Sequence, residues 1–370
     1  MSKKNYTGGQ ILTDVTPGLK KSRFSLGAMV FFLYCACAGG AFGIEPMISS
    51  SGLGLTLILL VVIPLFWALP IGLYCSKLTN LVPVDAGPYV WTRMAFGEFW
   101  GFSFGFWMAL AAYLTGAAYV VLAVDYIGMY VPLTAGTAFA LKAAFIIAKL
   151  SPNKGVPVIP ILLLAAINLI LVNINFEILV TILSPVLFIR YVGLAFAYVK
   201  LRKDYPVEKR GNLYYVKSKL APVYICGGPL IVGVISFFVN GTEYFLLGFI
   251  AIIAAVIFYP VCKWIYGGLY RKDPENNPIN PKTRLAQGDI TRFGIFFLLF
   301  GFIALVGSLF LVWYEGSWGP AYYLEVYGSG IMSNFWGMIE IARWLGIIML
   351  ALGIVLLLAG KKFDPIVKED

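Results

Sequence analysis

Glu45 is a carboxylate inside a stretch apolar enough to cross a bilayer, and its neighbours are equally out of place there. Gly39, Gly40 and Gly43 precede it and Pro46 follows it, in the run CAGGAFGIEP at 37–46. A helix interrupted at membrane depth leaves backbone N–H and C=O groups unpaired, so such a break persists where it lines a cavity. Glycines permit unwound backbone, and a proline suits the first turn of a renewed helix, where its missing N–H would be unpaired anyway. Gly39 and Gly43 also have the spacing of a small-residue packing face, and Glu45 could serve as a cap for the second half-helix. A carboxylate within a span is costly, however, and by default marks a path for ions or small molecules.

Other charges fall within apolar runs. Arg190 lies about 14 residues from one end of its run, roughly 21 Å deep at helical rise, where a cation should face the bundle, pair with an acid such as Glu45, or snorkel to the surface. Glu340 and Arg343, three residues apart, have the spacing of a local ion pair. Asp125 and Glu177 read as interfacial end residues. Histidine is absent, which excludes histidine-ligated metal and histidine acid/base chemistry. The five cysteines form neither a disulfide framework nor a zinc pattern. No catalytic triad, metal set or phosphate loop is present, so neither an enzyme nor a cofactor is expected.

The elements that must position these residues are membrane spans. Of 370 residues 60% are hydrophobic and 12% charged, too few charges to make a water-facing shell. By length and hydropathy the spans are 24–50, 53–76, 99–131, 157–175, 176–199, 221–239, 243–267, 293–314 and 334–360. The start carries basic residues but no short apolar run with a small-residue cleavage site, so the first span is expected to direct insertion. The net charge of +10 gathers between spans: Lys3, Lys4, Lys20, Lys21 and Arg23, then 200–219, then Lys263 to Arg292. That is a positive-inside pattern and not a nucleic-acid surface.

Parity then demands a tenth span. Three spans from a cytoplasmic start leave the chain outside near Val131, yet the basic segment 200–219 must be inside two spans after 157. Only 132–150 can make the crossing, at roughly 28 Å, with Lys142 near its middle. The expected layout is a cytoplasmic arm at 1–23, a transmembrane domain of about ten spans at 24–360 and a cytoplasmic tail at 361–370, with Lys361 and Lys362 inside. Glu315 and Glu325 fall on an outer loop.

The runs GGAFGIEPMISSSGLG and PLFWALPIGLYCSKLTNLVPVDAGPYVWTRMAFGEFWGFSFGFW resemble the amino acid-polyamine-organocation transporters, above all their polyamine-uptake and L-type branches. AKLSPNKGVPVIPILL is similar to the loop before that family's ninth span, and AYVKLRKDYP to the end of its tenth. The resemblance covers most of 20–270. It implies an all-α, shortened LeuT-type bundle in the plasma membrane, with a small amine (an amino acid or a polyamine) bound at mid-membrane and coupled to H+ or Na+. It places Gly39, Gly40, Phe42, Gly43 and Glu45 at the substrate, with Trp107 and Tyr113 contributed by the third span. It makes Asp85 and Arg93 candidates for a gate, on a segment that also reads as interfacial and amphipathic.

The third-span match ends near Pro132 and the ninth-span match begins near Ala148, too close to hold the family's fourth to eighth spans. The chain is then a naturally shortened transporter, a defective gene product, or one whose site is completed by another subunit; the competing class is a non-transporting sensor or partner subunit. An ionised Glu45 would favour a cationic amine or a coupled cation, and a protonated one proton coupling; burial and a helix start push a carboxyl in opposite directions.

Overall fold

The computed structural model describes residues 25–27, 30, 45–82, 87–148, 158–204, 220–267, 279–280, 283–286 and 288–363. Among the described residues there are twelve helices: α1 (Glu45–Phe66), α2 (Ala68–Leu81), α3 (Gly87–Phe96), α4 (Glu98–Tyr130), α5 (Ala135–Ala148), α6 (Val158–Leu171), α7 (Phe176–Asp204), α8 (Ala221–Val239), α9 (Thr242–Tyr266), α10 (Asp289–Glu315), α11 (Gly319–Tyr327) and α12 (Phe335–Phe363). The one β feature among them is an isolated bridge between Ile279 and Ala286. Seven helical segments are long and apolar enough to cross a membrane: Ser51–Leu81, Glu98–Tyr130, Ile178–Asp204, Ala221–Val239, Thr242–Tyr266, Asp289–Glu315 and Phe335–Phe363. The protein is an all-α, polytopic membrane protein.

The long helices at Glu98–Tyr130, Phe176–Asp204, Ala221–Val239, Thr242–Tyr266, Asp289–Glu315 and Phe335–Phe363 fall on the apolar runs expected at 99–131, 176–199, 221–239, 243–267, 293–314 and 334–360, because a hydrophobic run of bilayer length has few alternatives to a helix. The run at 157–175, by contrast, carries only the 14-residue α6. The run at 132–150 forms α5, whose 14 residues reach about 21 Å, less than a hydrocarbon core of about 30 Å. Lys142 has a local reason to sit in it. Its Nζ donates to the Val172 carbonyl at 3.2 Å, just past the end of α6, where helix carbonyls lack their own donors. Ile146 of α5 joins Leu114, Val121, Ala165 and Leu179 in a small apolar cluster beside the main core.

The boundary expected between the first two spans, at 51–52, falls inside α1, which continues through it with a kink at Gly52, at φ 74° and ψ 159°, a conformation open to glycine. The Thr56 hydroxyl bridges the kink, donating to Gly52 O at 2.8 Å and Met47 O at 3.3 Å. It thereby serves a carbonyl that the interrupted ladder leaves behind. A second irregularity separates α1 from α2 at Trp67. Pro70 has no N–H to offer the Phe66 carbonyl, and Gly228 of α8 lies so near that oxygen that a Cβ there would collide with it. The Tyr224 hydroxyl of α8 donates to the Leu65 carbonyl beside it.

The tightest pairing is between α10 and α12, antiparallel along a glycine seam. Gly294 and Gly301 are seven residues apart on one helix, and Gly346, Gly353 and Gly360 repeat the same step on the other. The register sets Thr291 against Gly360, Gly294 against Leu357, Leu298 against Gly353, Gly301 against Leu350 and Leu305 against Gly346. A Cβ on Gly301 would stand 2.9 Å from Leu350 N and 3.0 Å from Gly346 O. Small residues let two backbones approach this closely, which is how helices gain packing energy in lipid. A seven-residue repeat keeps the seam facing its partner over several turns.

Two sequence expectations are corrected. Glu315 is the fully buried last residue of α10 and not a loop residue; the outer segment is too short to carry it away from the helices that pack around it. Glu340 and Arg343 form no ion pair within 4 Å among the described residues. Glu340 is exposed on the surface of α12, and there a single turn of spacing does not hold two long side chains together.

Candidate functional site

Gly39, Gly40, Phe42, Gly43 and Asp85 lie outside the described residues, as do the side chains of Glu45 and Glu177. The backbone of Glu45 opens α1, with Pro46 in the first turn, the place where proline costs a helix no hydrogen bond. Met47, Gly52 and Thr56 follow on the same helix, so the Glu45 backbone lies less than two turns from the kink.

Arg190 is held at a cluster where α7 meets the α1–α2 break. Its Nη2 donates to the Tyr191 hydroxyl, and the guanidinium lies 4.4 Å from the Tyr191 ring centre, a cation–π arrangement. Trp67 meets the Tyr191 ring edge-on at 5.6 Å. The buried Tyr74 of α2 donates its hydroxyl to the Tyr191 carbonyl at 3.0 Å, joining helices 117 residues apart in sequence. No carboxylate pairs with Arg190 among the described residues. Tyr74→Phe removes this side-chain hydrogen bond across the junction. It is expected to lower stability by about 0.5–1.5 kcal/mol, read as a lower unfolding midpoint in detergent with the oligomeric profile unchanged.

Trp107, on α4, is fully buried against Phe104 at 5.2 Å between rings, and its indole N–H has no acceptor. A buried donor in that state is uncommon and invites a ligand or water as its acceptor. Tyr113 lies on the same helix, partly exposed. Arg93 of α3 is partly buried and sits 5.6 Å from the Tyr89 ring centre. α3 packs on α4 and α7, with Arg93 and Tyr89 against Gly101 and Gly105 of α4 and with Val90, Trp91 and Ala95 buried, so the segment read as interfacial has one face inside the bundle. Asp125 is exposed near the end of α4, as an interfacial residue should be.

The strongest charge network was not singled out by the sequence. Lys263, near the end of α9, places Nζ 2.6 Å from Glu98 Oε2 at the start of α4 and 3.7 Å from Asp289 Oδ2 at the start of α10. Arg292 reaches Asp289 Oδ1 at 3.0 Å. Asp289 also accepts the Tyr259 hydroxyl at 2.5 Å and the Ala286 amide at 2.9 Å. Two acids and two bases are thus joined with side chains of Lys263 and Asp289 essentially inaccessible. The signal available in the sequence was that Lys263 precedes the end of an apolar run by several residues; it reads there as one more loop charge. The carboxylates beside helix starts also answer the positive end of each helix dipole.

These helices and this division of charge define the class: a multi-pass membrane protein with irregular helix breaks near intramembrane charges. Comparison with known proteins narrows the class. Over part of its length the chain is similar to a probable polyamine transporter of Arabidopsis thaliana, 33% identical over 126 residues, which is 34% of this chain and 26% of that protein. It is similar to a polyamine transporter of Oryza sativa subsp. japonica, 31% identical over 138 residues, 36% of this chain and 26% of that protein. The matched stretch thus spans about a quarter of the length of these curated relatives. No protein-family model matches the chain, and no solved structure does.

Proposed function

We propose that this chain acts as a secondary active transporter, a permease carrying a polyamine or an amino acid across the plasma membrane with a proton or a sodium ion. The observation that carries the reading is the partial similarity to proteins named polyamine transporters. It is supported by the apolar helices and by the start of α1 at Glu45 and Pro46, beside a kink at Gly52. In this reading the bundle is of the LeuT type, and Gly39, Gly40, Phe42 and Gly43 offer backbone groups to the substrate. Glu45 meets its ammonium group or carries the coupled proton. Trp107, whose buried indole N–H lacks an acceptor, and Tyr113 line the path, Arg190 supplies the opposing intramembrane charge, and Asp85 and Arg93 act at the gate.

Uptake of radiolabelled spermidine, 1,4-diaminobutane and leucine into proteoliposomes, with imposed pH or sodium gradients, tests the reading. Uptake of one amine class is expected, and Glu45→Gln should reduce it at least tenfold or abolish its dependence on external pH. Transport unchanged in Glu45→Gln across the pH range would remove Glu45 from the mechanism. The short span of the match favours a second reading, in which the site is completed by a further membrane subunit. Co-purification of a second membrane chain, with amine binding but no uptake by this chain alone, would select it.

A further inference from the structure

At the end of the bundle opposite Lys263, two carboxyl groups are buried without a basic partner among the described residues. Glu315 closes α10 at zero exposure, and Glu243, in the first turn of α9, is 3% exposed. One oxygen of Glu315 is fully used. Oε2 accepts the Thr242 amide at 3.2 Å, the Thr242 hydroxyl at 2.6 Å and the Tyr323 hydroxyl at 3.1 Å. That oxygen caps the start of α9. The hydroxyls of Tyr327 and Tyr244 lie near the Glu243 carboxyl group.

The other oxygen of each acid has no donor: Glu315 Oε1 and Glu243 Oε2 are both buried and unpartnered. Capping explains neither, and a buried carboxylate oxygen without a donor carries its full desolvation cost. Gly241, at φ 107°, lets the backbone pass close to one of these oxygens: a Cβ there would stand 3.2 Å from Glu315 Oε1 and 3.0 Å from the Tyr323 hydroxyl, tighter than an ordinary contact. Aromatic rings form the wall: Tyr323 stacks on Tyr327 at 6.4 Å and on Phe335 at 6.0 Å between centroids. Burial, reinforced by the neighbouring carboxylates, holds the Tyr323 and Tyr327 phenols well above their ordinary pKa. They therefore remain donors and add no negative charge.

Free acceptor oxygens and aromatic faces together select the kind of ligand. A hard metal ion takes about six or more oxygen ligands, and no group of three or more acidic, cysteine or histidine side chains suited to a metal occurs among the described residues. An alkylammonium group has three N–H donors and is favoured by ring faces. We propose that Glu243 and Glu315 form a binding site for the ammonium group of a small amine, covered by α11. The proposal stands on these residues and does not require that the chain transport anything. α11 is nine residues long and is followed by Gly328 at φ 64° and Gly330 at φ 104°. Access requires this short helix to lift, and the glycines after it place its pivot there.

The test is equilibrium binding of radiolabelled methylammonium to the full chain in detergent, by scintillation proximity. Saturable binding is expected, displaced by 1,4-diaminobutane. Tetramethylammonium, which has the charge and no N–H donor, should not displace it, nor should calcium at the same ionic strength. Glu243→Gln and Glu315→Gln should each weaken binding at least tenfold. If either variant loses its monodisperse profile, Tyr323→Phe, which keeps both charges, takes its place, with the affinity expected to shift at least threefold. No binding to the wild type overturns the proposal, and so does displacement by calcium at equal potency. Binding unchanged in all three variants overturns it too. Binding that vanishes in Glu45→Gln and survives in the glutamine variants belongs to the site proposed for transport and likewise overturns this one, so the two readings fail separately.

Discussion

Lys263→Met should cost the bundle about 3–5 kcal/mol, the usual penalty for removing one member of a buried ion pair. The methionine fills the space of the lysine stem, so lost packing contributes little. The loss is electrostatic: Glu98 Oε2 gives up its contact at 2.6 Å, and Asp289 keeps Arg292 and Tyr259 but has one cation fewer at zero side-chain exposure. α4, α9 and α10 lose the contact that ties their ends together, and the expected signature is a large drop in the midpoint of thermal aggregation. The double variant Lys263→Met with Glu98→Gln should recover part of that loss, because it no longer buries an uncompensated carboxylate. A double variant as unstable as the single one would show that the lysine acts through packing alone.

Gly301→Val is expected to have the next largest effect. Overpacking a close interface costs about 1–3 kcal/mol, and here the obstruction is backbone on the partner helix, Leu350 N and Gly346 O, which cannot rotate away. The helices must separate along the seam, disturbing the other glycine contacts with it. Gly136→Val supplies the control, since a Cβ at Gly136 meets nothing within 4 Å and should leave the midpoint nearly unchanged. Equal effects at the two positions, measured by thermal unfolding in the same detergent, would mean that the seam contributes nothing to stability.

The contrast between these two glycines indicates how much the chain discloses before it is folded. Both are glycines within apolar runs, and the seven-residue step from Gly294 to Gly301 does not by itself say what faces Gly301. Gly301 is distinguished only by a partner some fifty residues away whose backbone lies against it. The same holds for Lys263, whose acid partner Glu98 is 165 positions distant. Read locally, it was one of a group of basic residues following a span. Glu315 was read as a loop acid because it closes an apolar run, whereas α9 and α11 enclose it. Of the site residues read from the sequence, Trp107 emerged with a specific property, a buried donor without an acceptor, that its residue type alone could not reveal.

The sequence by itself determined that the chain is helical and membrane-spanning, and where most of its helices begin and end. Those properties follow from the length of each apolar run and from the need to satisfy every backbone polar group within its own segment. It also marked Glu45, Pro46 and the glycines before them as costly in lipid, because that cost belongs to each residue type. Tertiary structure alone decided which charges neutralise one another, which glycines are contact points and which carboxylate oxygens go without a donor. Those are properties of pairs, and the energy of a buried charge or a missing Cβ depends on the atom facing it, which the order of residues along one helix does not specify.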